Sequence, residues 1–302
     1  MMNEKFREYK QEMVDFLQNR YPSGIQSQSN IQAVDFYFVD EPTEFTSVMY
    51  EPSLCLILQG SKSVDFGDKL YEYNDKEYLL ASTHLPAKVK VLKATKQIPY
   101  ISLRIKFSLE EIYEVLKERK DKRYSHAKTV EKGLFFDEMN MKLYSAIRRL
   151  VKLLDEPKEE MQFISKLIIK EILYILISNE KSGHFLHNFI MEGSISNKVV
   201  TAITEIKNSF NQKLNMRELA DKIHMSESSF YQYFKTITSM SPIQFQKKLR
   251  LEEAKNMLIT QNVEANEVAF AVGYESPSQF SREYSRMYGM SPKAHSEYLR
   301  SL

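Results

Sequence analysis

The same local pattern occurs twice toward the C-terminal end of the chain, about fifty residues apart, and it restricts the fold there to a pair of equivalent helical units. The first copy runs Leu219-Ala220…Ser226…Phe230…Phe234…Met240-Ser241-Pro242. The second runs Val268-Ala269…Ser276…Phe280…Tyr284…Met290-Ser291-Pro292. From Ser226 and Ser276 onward the offset is constant at fifty; upstream it is forty-nine, so the second turn holds one extra residue. Each copy reads as a short helix, a tight turn and a second helix that begins at a serine. The spacing predicts helix-turn-helix units over about 216–237 and 265–288. Two such units in one small domain offer two helices to DNA.

Faces follow from the helical period. In the first unit Leu219, Ala220 and Ile223 pack, and His224 stands at the turn, a residue type tolerated at positive φ. Ser226 caps a helix with Phe230, Phe234 and Ile237 inward and Ser228, Tyr231, Gln232 and Lys235 outward. In the second unit Ala265, Val268, Ala269 and Val272 pack, and Gly273 stands at the turn, where positive φ is free of strain. Ser276 is the cap, Pro277 suits the first helical position and Gln279 is expected to complete a capping box. Phe280, Tyr284 and Met287 face in; Ser278, Ser281, Arg282 and Ser285 face out. Val199, Ile203, Ile206 and Phe210 mark a scaffold helix. Ser241-Pro242-Ile243-Gln244 starts a connecting helix through Leu251, Ala254 and Leu258, ~25 Å long to that residue at ~1.5 Å per residue. Such a spacer puts two successive major-groove segments within reach of one protomer.

Residues before about 190 have another texture. Phe6, Tyr9, Met13, Phe16 and Leu17 predict an amphipathic helix over 1–20. Ile31–Val39, Leu54–Leu58, Ser63–Phe66, Lys69–Tyr71, Tyr78–Ala81, Val89–Leu92 and Tyr100–Ile105 read as short strands, with a hairpin across Gly67-Asp68. Closely spaced strands of this kind suggest a small barrel or sandwich. Past Phe107 the pattern is helical: Ser108 and Glu111 form a capping box, and Leu143, Ile147, Leu150 and Leu154 make one stripe. Ile164, Leu167, Ile168, Ile172, Ile175 and Leu176 make another. These two helices either cover the barrel or form a dimer seam. The domain boundary is expected near Glu192-Gly193-Ser194, giving 1–190 and 195–302.

Composition narrows the function class. The N-terminus is charged and lacks the apolar stretch of a signal peptide, and no apolar run reaches spanning length; a cytoplasmic location is the expectation. One cysteine, Cys55, leaves no intrachain disulfide and no multi-cysteine zinc site, and within an apolar strand it reads as an inert buried thiol. The barrel segment offers only His84 as a histidine ligand, and His184 and His187 lie downstream of it, so neither a metal nor another cofactor is expected. No Gly-rich phosphate loop or Ser/His/Asp arrangement stands out, which weighs against an enzyme. Residues 195–302 carry 14 Lys+Arg against 11 Asp+Glu, net +3, while the whole chain is +2. The positive balance sits with the duplicated motif but is slight.

The stretch Val272-Gly273-Tyr274-Glu275-Ser276-Pro277-Ser278-Gln279-Phe280-Ser281-Arg282-Glu283-Tyr284, ending at Gly289-Met290-Ser291-Pro292, closely resembles the signature of the AraC/XylS-type DNA-binding domain, and Arg250-Leu251-Glu252-Glu253-Ala254 matches its connecting helix. More loosely, Tyr50-Glu51-Pro52-Ser53-Leu54…Leu58-Gln59-Gly60-Ser61-Lys62 with Leu85-Pro86 is similar to the cupin-like sensor domain of one AraC-type branch. The resemblance implies an α+β chain: a cupin-like β-barrel with flanking helices, then an all-α domain of two helix-turn-helix units joined by a long helix. It implies control of transcription through promoter DNA and, in many members, response to a small-molecule effector. RNA polymerase and a second copy of the chain are further partners compatible with it.

Residue roles follow. Arg pairs bidentately with guanine and Gln with adenine, and Gln232 and Arg282 sit where the family reads bases; Ser228, Tyr231, Ser278 and Ser281 are further base-contact candidates. Ser226 and Ser276 cap helices whose N-termini suit phosphates, and Lys235, Lys248 and Arg286 are phosphate candidates. The aromatic stripes are core and carry no contact. Phe36, Phe38, Cys55 and Ile57 are expected to line an apolar effector cavity with few charges. Two alternatives remain: constitutive DNA binding with an N-terminal half that serves only dimerisation or protein partners, and a cupin-type enzyme.

Overall fold

β-Branched and aromatic runs broken by turn residues dominate the first hundred positions, and in the computed structural model they form two antiparallel sheets. The structure describes residues 4–21, 27–118, 130–261 and 263–300, and the chain divides into two units, 1–197 and 198–302. In the first, α1 (Glu4–Arg20) precedes nine strands: β1 (Ser27–Gln28), β2 (Val34–Val39), β3 (Thr46–Tyr50), β4 (Ser53–Gln59), β5 (Ser61–Phe66), β6 (Lys69–Asn74), β7 (Glu77–Ala81), β8 (Leu85–Lys93) and β9 (Tyr100–Lys106). There follow α2 (Leu109–Glu118), β10 (Leu134–Glu138), α3 (Met141–Lys152), α4 (Lys158–Ser178) and α5 (Glu180–Ile190). One sheet has the order β1-β2-β9-β4-β7-β10 and the other β3-β8-β5-β6. Three strands went unread in the sequence, the first being the two-residue β1. β3 was passed over between two turns, and β10 lies inside the stretch read as helical, where Phe135 and Phe136 pair with Leu80 and Leu79 of β7.

The six-stranded sheet is buried on both faces, so β4 is an almost continuous buried run rather than an alternating one. Pleat alternation separates two sets of residues. Phe36 and Phe38 lie beside the Tyr21 ring, at centroid distances of 5.3 and 6.0 Å. On the opposite face Asp35, Tyr37 and Val39 are in register with Arg104, Ser102 and Tyr100, and Arg104 with Cys55. α1 buries Phe6, Met13, Val14 and Leu17, with Phe6 4.1 Å from the Tyr144 ring of α3. The Ser108–Glu111 capping box forms in both directions, at 2.6 and 3.0 Å. In the stripe read for α4, Ile168, Ile172 and Leu176 are buried, but Leu167 is 53% exposed, together with Phe163 and Tyr174.

α6 (Ile195–Asn208) carries the chain into the second unit, which holds α7 (Met216–Lys222), α8 (Glu227–Thr238), α9 (Pro242–Thr260), α10 (Ala265–Ala271), α11 (Pro277–Tyr288) and α12 (Pro292–Arg300). Its cores hold the predicted Phe230, Phe234, Val268, Ala269, Val272, Phe280 and Tyr284, joined by Phe245 and Tyr274, which the sequence reading did not place there, while Met287 is only half-buried. Phe230, Phe234 and Phe245 form an edge-on ladder, at 5.5 and 5.4 Å, that seats α8 on α9. Val268, Ala269, Val272, Tyr274, Phe280 and Tyr284 close around Leu251, Ala254 and Leu258 of α9. The capping box at α9 is complete between Ser241 and Gln244. At α11 only half of the expected box exists: Ser276 accepts from the Gln279 backbone, whereas the Gln279 side chain donates to Glu283 at 3.3 Å. The competing carboxylate one turn along takes the amide away from the cap.

The two glycines of the second unit differ in a measurable way. A Cβ on Gly273 (φ +88°) would stand 2.0 Å from the Asn211 carbonyl oxygen, whereas one on Gly289 (φ +74°) would meet nothing within 4 Å. Gly289→Ala is therefore expected to cost about 1 kcal/mol from backbone strain alone. Gly273→Ala adds a backbone clash and should exceed it by about 2 kcal/mol or more. Urea unfolding of the two variants against the parent chain checks the ranking.

Candidate nucleic-acid interface

The turns of the two units are built alike. In the first, His224 takes φ +54°, with Met225 N–H donating to Ala220 O at 3.0 Å. In the second, Gly273 takes that role, with Tyr274 N–H donating to Ala269 O at 2.9 Å. The left-handed residue lets the chain reverse onto the end of the packing helix and fixes the departure of the next helix. The extra residue of the second turn is Glu275, between Tyr274 and the Ser276 cap. Equivalent stops follow fifty residues apart, where Ser239 (φ 64°) and Gly289 (φ 74°) end α8 and α11 in the left-handed region.

α8 and α11 thus each bury one aromatic face and leave the other open. On α8, Ser228, Gln232 and Lys235 are exposed and Tyr231 is half-buried; its ring lies edge-on to Phe230 at 5.9 Å, and desolvation raises its pKa. On α11, Ser278, Arg282 and Arg286 are exposed and Ser281 is half-buried, its carbonyl accepting from Ser285. Among the described residues no carboxylate pairs with Arg282 or Arg286, and the neighbouring Glu283 is already occupied. It accepts from Tyr274 Oη at 2.8 Å and from Lys247 Nζ at 2.9 Å. Burial pushes the Glu283 carboxyl up, but the bonds from Lys247, Tyr274 and Gln279 outweigh it and hold the pKa below its usual value. The cap oxygens of Ser226 and Ser276 are engaged with their own helix backbones. Lys248 is half-buried on α9 and has interactions of its own.

One functional residue was missed by the sequence reading. Arg250 of α9 donates from Nε to Phe210 O at 2.7 Å, from one terminal nitrogen to Gly273 O at 2.7 Å and from the other to Gln212 O at 2.9 Å. Gln246 donates to the same Phe210 and Gln212 carbonyls at 2.9 and 2.7 Å. The segment before the first unit is thereby fastened to the turn of the second. The lack of room for a Cβ at Gly273, against the Asn211 carbonyl, reflects this approach. A fork with fixed donors suits three carbonyls at once; the sequence placed Arg250 in the connecting-helix pattern but gave no sign of its distant carbonyl partners.

In the first unit a cavity of about 210 Å³ lies between the two sheets, lined by Tyr37, Val48, Tyr50, Cys55, Lys62 and Arg104 among others. Of the four expected lining residues it takes only Cys55. Phe36 and Phe38 are on the Tyr21 side of β2, because a one-residue step along a strand changes face, and Ile57 is buried without reaching the cavity. Nor is the lining charge-poor. Burial raises the Cys55 thiol pKa.

Comparison with known proteins agrees with this architecture. Residues 30–184 match the family described as AraC-type transcriptional regulator N-terminus, and residues 219–298 match a helix-turn-helix domain. The chain belongs to the AraC-type transcriptional regulators. Two curated relatives are an uncharacterized HTH-type transcriptional regulator, YobQ, of Bacillus subtilis and the raffinose operon regulatory protein RafR of Pediococcus pentosaceus. The first is 30% identical over 43% of this chain and 56% of its own length, the second 26% over 51% and 54%. The chain thus spans about half the length of these relatives. In fold this AraC-type chain is similar to wild-type ToxT of Vibrio cholerae, crystallised with an unsaturated fatty acid, with a TM-score of 0.59 at 11% identity over 89% of this chain and 96% of that one.

If Arg250 is the fastener described, Arg250→Ala should destabilise the chain by about 2–3 kcal/mol through three carbonyls losing a charged donor. Arg250→Lys should recover only part, since an ammonium lacks the planar fork. Denaturant midpoints for both variants test this; equal stability of the alanine variant and the parent would remove the role.

Proposed function

We propose that this AraC-type regulator binds promoter DNA through α8 and α11 and controls transcription in response to a small molecule held by the N-terminal unit. The observation that carries the reading is the duplicated open face. Two helices, each locked from behind by an aromatic core, present polar side chains that have no partner carboxylate among the described residues. The α9 spacer runs nineteen residues, ~28 Å at ~1.5 Å per residue, a length suited to helices one duplex turn apart.

Within this reading Gln232 and Arg282 contact bases, helped by Ser228, Tyr231, Ser278 and Ser281. Lys235, Lys248 and Arg286 contact phosphates. Ser226 and Ser276 act through the helix N-termini they cap, since their hydroxyls are already used. The exposed Phe163, Leu167 and Tyr174 on α4 favour a homodimer through the N-terminal unit. Their apolar surface has no cover within the described residues. Contact with RNA polymerase belongs to the same reading, as does a cytoplasmic location; no described helix is long and apolar enough to cross a membrane.

Selection of bound sequences from random duplex DNA supplies a site, and binding should weaken steeply with salt as counterions are released. On that site Arg282→Ala should lower affinity roughly ten- to a hundred-fold, about 1–3 kcal/mol, and relax discrimination at one base pair. Arg286→Ala should weaken all sequences alike. A uniform loss for Arg282→Ala across single-base-pair substitutions would make it a phosphate clamp instead of a base reader.

A further inference from the structure

The cavity between the two sheets is lined by a half-buried cation, Lys62, that no carboxylate among the described residues neutralises. Charges on the inner face of the six-stranded sheet are otherwise matched. Asp35, only 1% exposed, accepts from Arg104 Nε at 2.9 Å and is approached by Lys106 Nζ at 3.4 Å. That carboxylate is therefore saturated by two cations. Lys62, facing it from β5, has no carboxylate among the described residues. Its Nζ lies 6.0 Å from the ring centroids of both Tyr37 and Tyr50. The Arg104 guanidinium lies 5.8 Å from the same Tyr37 ring, so the two cations flank one aromatic side chain. Loss of hydration lowers the Lys62 pKa; the neighbouring Cys55 opposes this and the nearby Arg104 charge adds to it. This is the signature of an ammonium short of negative charge. Ring faces compensate a cation only partly.

A second observation points the same way. The Tyr50 hydroxyl lines this cavity, is buried and has no hydrogen-bond partner. Buried polar groups are rarely left so, and an orphan facing a cavity calls for a ligand or water to complete it. Thr43, Thr46, Tyr73 and Ser102 add polar groups to the lining, and Val48, Val89 and Val91 give it an apolar patch, with Val91 the cross-strand neighbour of Lys62. At about 210 Å³ the space is smaller than the ~300–1,000 Å³ of drug-sized sites.

Resting on the effector reading above, we propose that the cavity binds a small organic carboxylate, whose oxygens meet Lys62 Nζ and the Tyr50 hydroxyl beside Arg104 while its short apolar or aromatic body packs on Val48, Val89 and Val91. A neutral ligand would leave Lys62 uncompensated. A phosphate dianion would need more free donors than the site offers, because Arg104 is held by Asp35. One negative charge with an apolar remainder fits both Lys62 and the apolar patch.

The test uses the full chain, with benzoate and hexanoate as probes and benzamide and hexanamide as neutral isosteres, read by thermal shift and calorimetry. At least one carboxylate should raise the melting temperature in a concentration-dependent way, with its amide ten-fold or more weaker. Lys62→Met and Lys62→Gln should each abolish that preference. Without ligand they should melt no lower than the parent, since an uncompensated cation has been removed; this separates lost binding from lost folding. Carboxylate and amide binding alike, Lys62 variants binding like the parent, or no response to either acid at concentrations on the order of 10 mM, a weaker range than the ~4 kcal/mol of a millimolar site, would each overturn the proposal. Those outcomes leave the regulator reading intact if the same preparations still bind the selected DNA. Failure of the parent chain to bind any DNA sinks that reading whatever the acids do.

Discussion

Everything in the second unit depends on how closely two stretches of backbone approach at Gly273. The Asn211 backbone sits where a side chain would start, and Arg250 bonds the carbonyls on both sides of the junction. A pair of helix-turn-helix units reads two groove segments only if their separation is fixed, and each unit alone has a core too small to fix it. The connecting helix supplies length. Gln246, Lys247 and Arg250, all on its first half, supply registration by tying it to the 210–212 segment, to the second turn and to Glu283 of α11.

The same economy of contacts leaves the presented faces open. Glu283, the carboxylate nearest to Arg282 in sequence, is drawn inward by Tyr274 and Lys247, so it does not quench the exposed guanidinium. Ser276 and Ser226 are spent on capping. What faces outward is a set of donors and acceptors that no carboxylate among the described residues engages. A slight positive balance suffices under these conditions, because placement rather than total charge decides which phosphates and bases are met.

In the first unit the distribution of polarity is inverted relative to a simple barrel. The apolar side of the large sheet, with Phe36 and Phe38, lies with Tyr21, whereas Asp35, Tyr37, Cys55 and Arg104 face between the sheets. A core of that kind is built from an ion pair, ring faces and a cavity, with packing given up where the cavity lies. The exposed Phe163, Leu167 and Tyr174 of α4 are the other departure from simple burial.

The sequence by itself determined the duplicated units, their caps, their aromatic cores and the residues left facing out, because each depends on neighbours within about one helical turn. It also determined most strands, through β-branched and aromatic runs between turn residues. Which face of β2 lines the cavity was not legible: both faces are buried, so alternation gives no polarity to read, and Phe36 and Phe38 fell on the wrong side. The capping box expected at Gln279 failed for a related reason, since a motif three residues long does not know of a carboxylate supplied one turn further on. Only the tertiary structure brought Arg250 to the carbonyls of Phe210, Gln212 and Gly273, and Lys62 across from Arg104. Those pairings join residues 23 to 42 positions apart in the chain, and contacts over such separations leave no period or spacing in a single sequence.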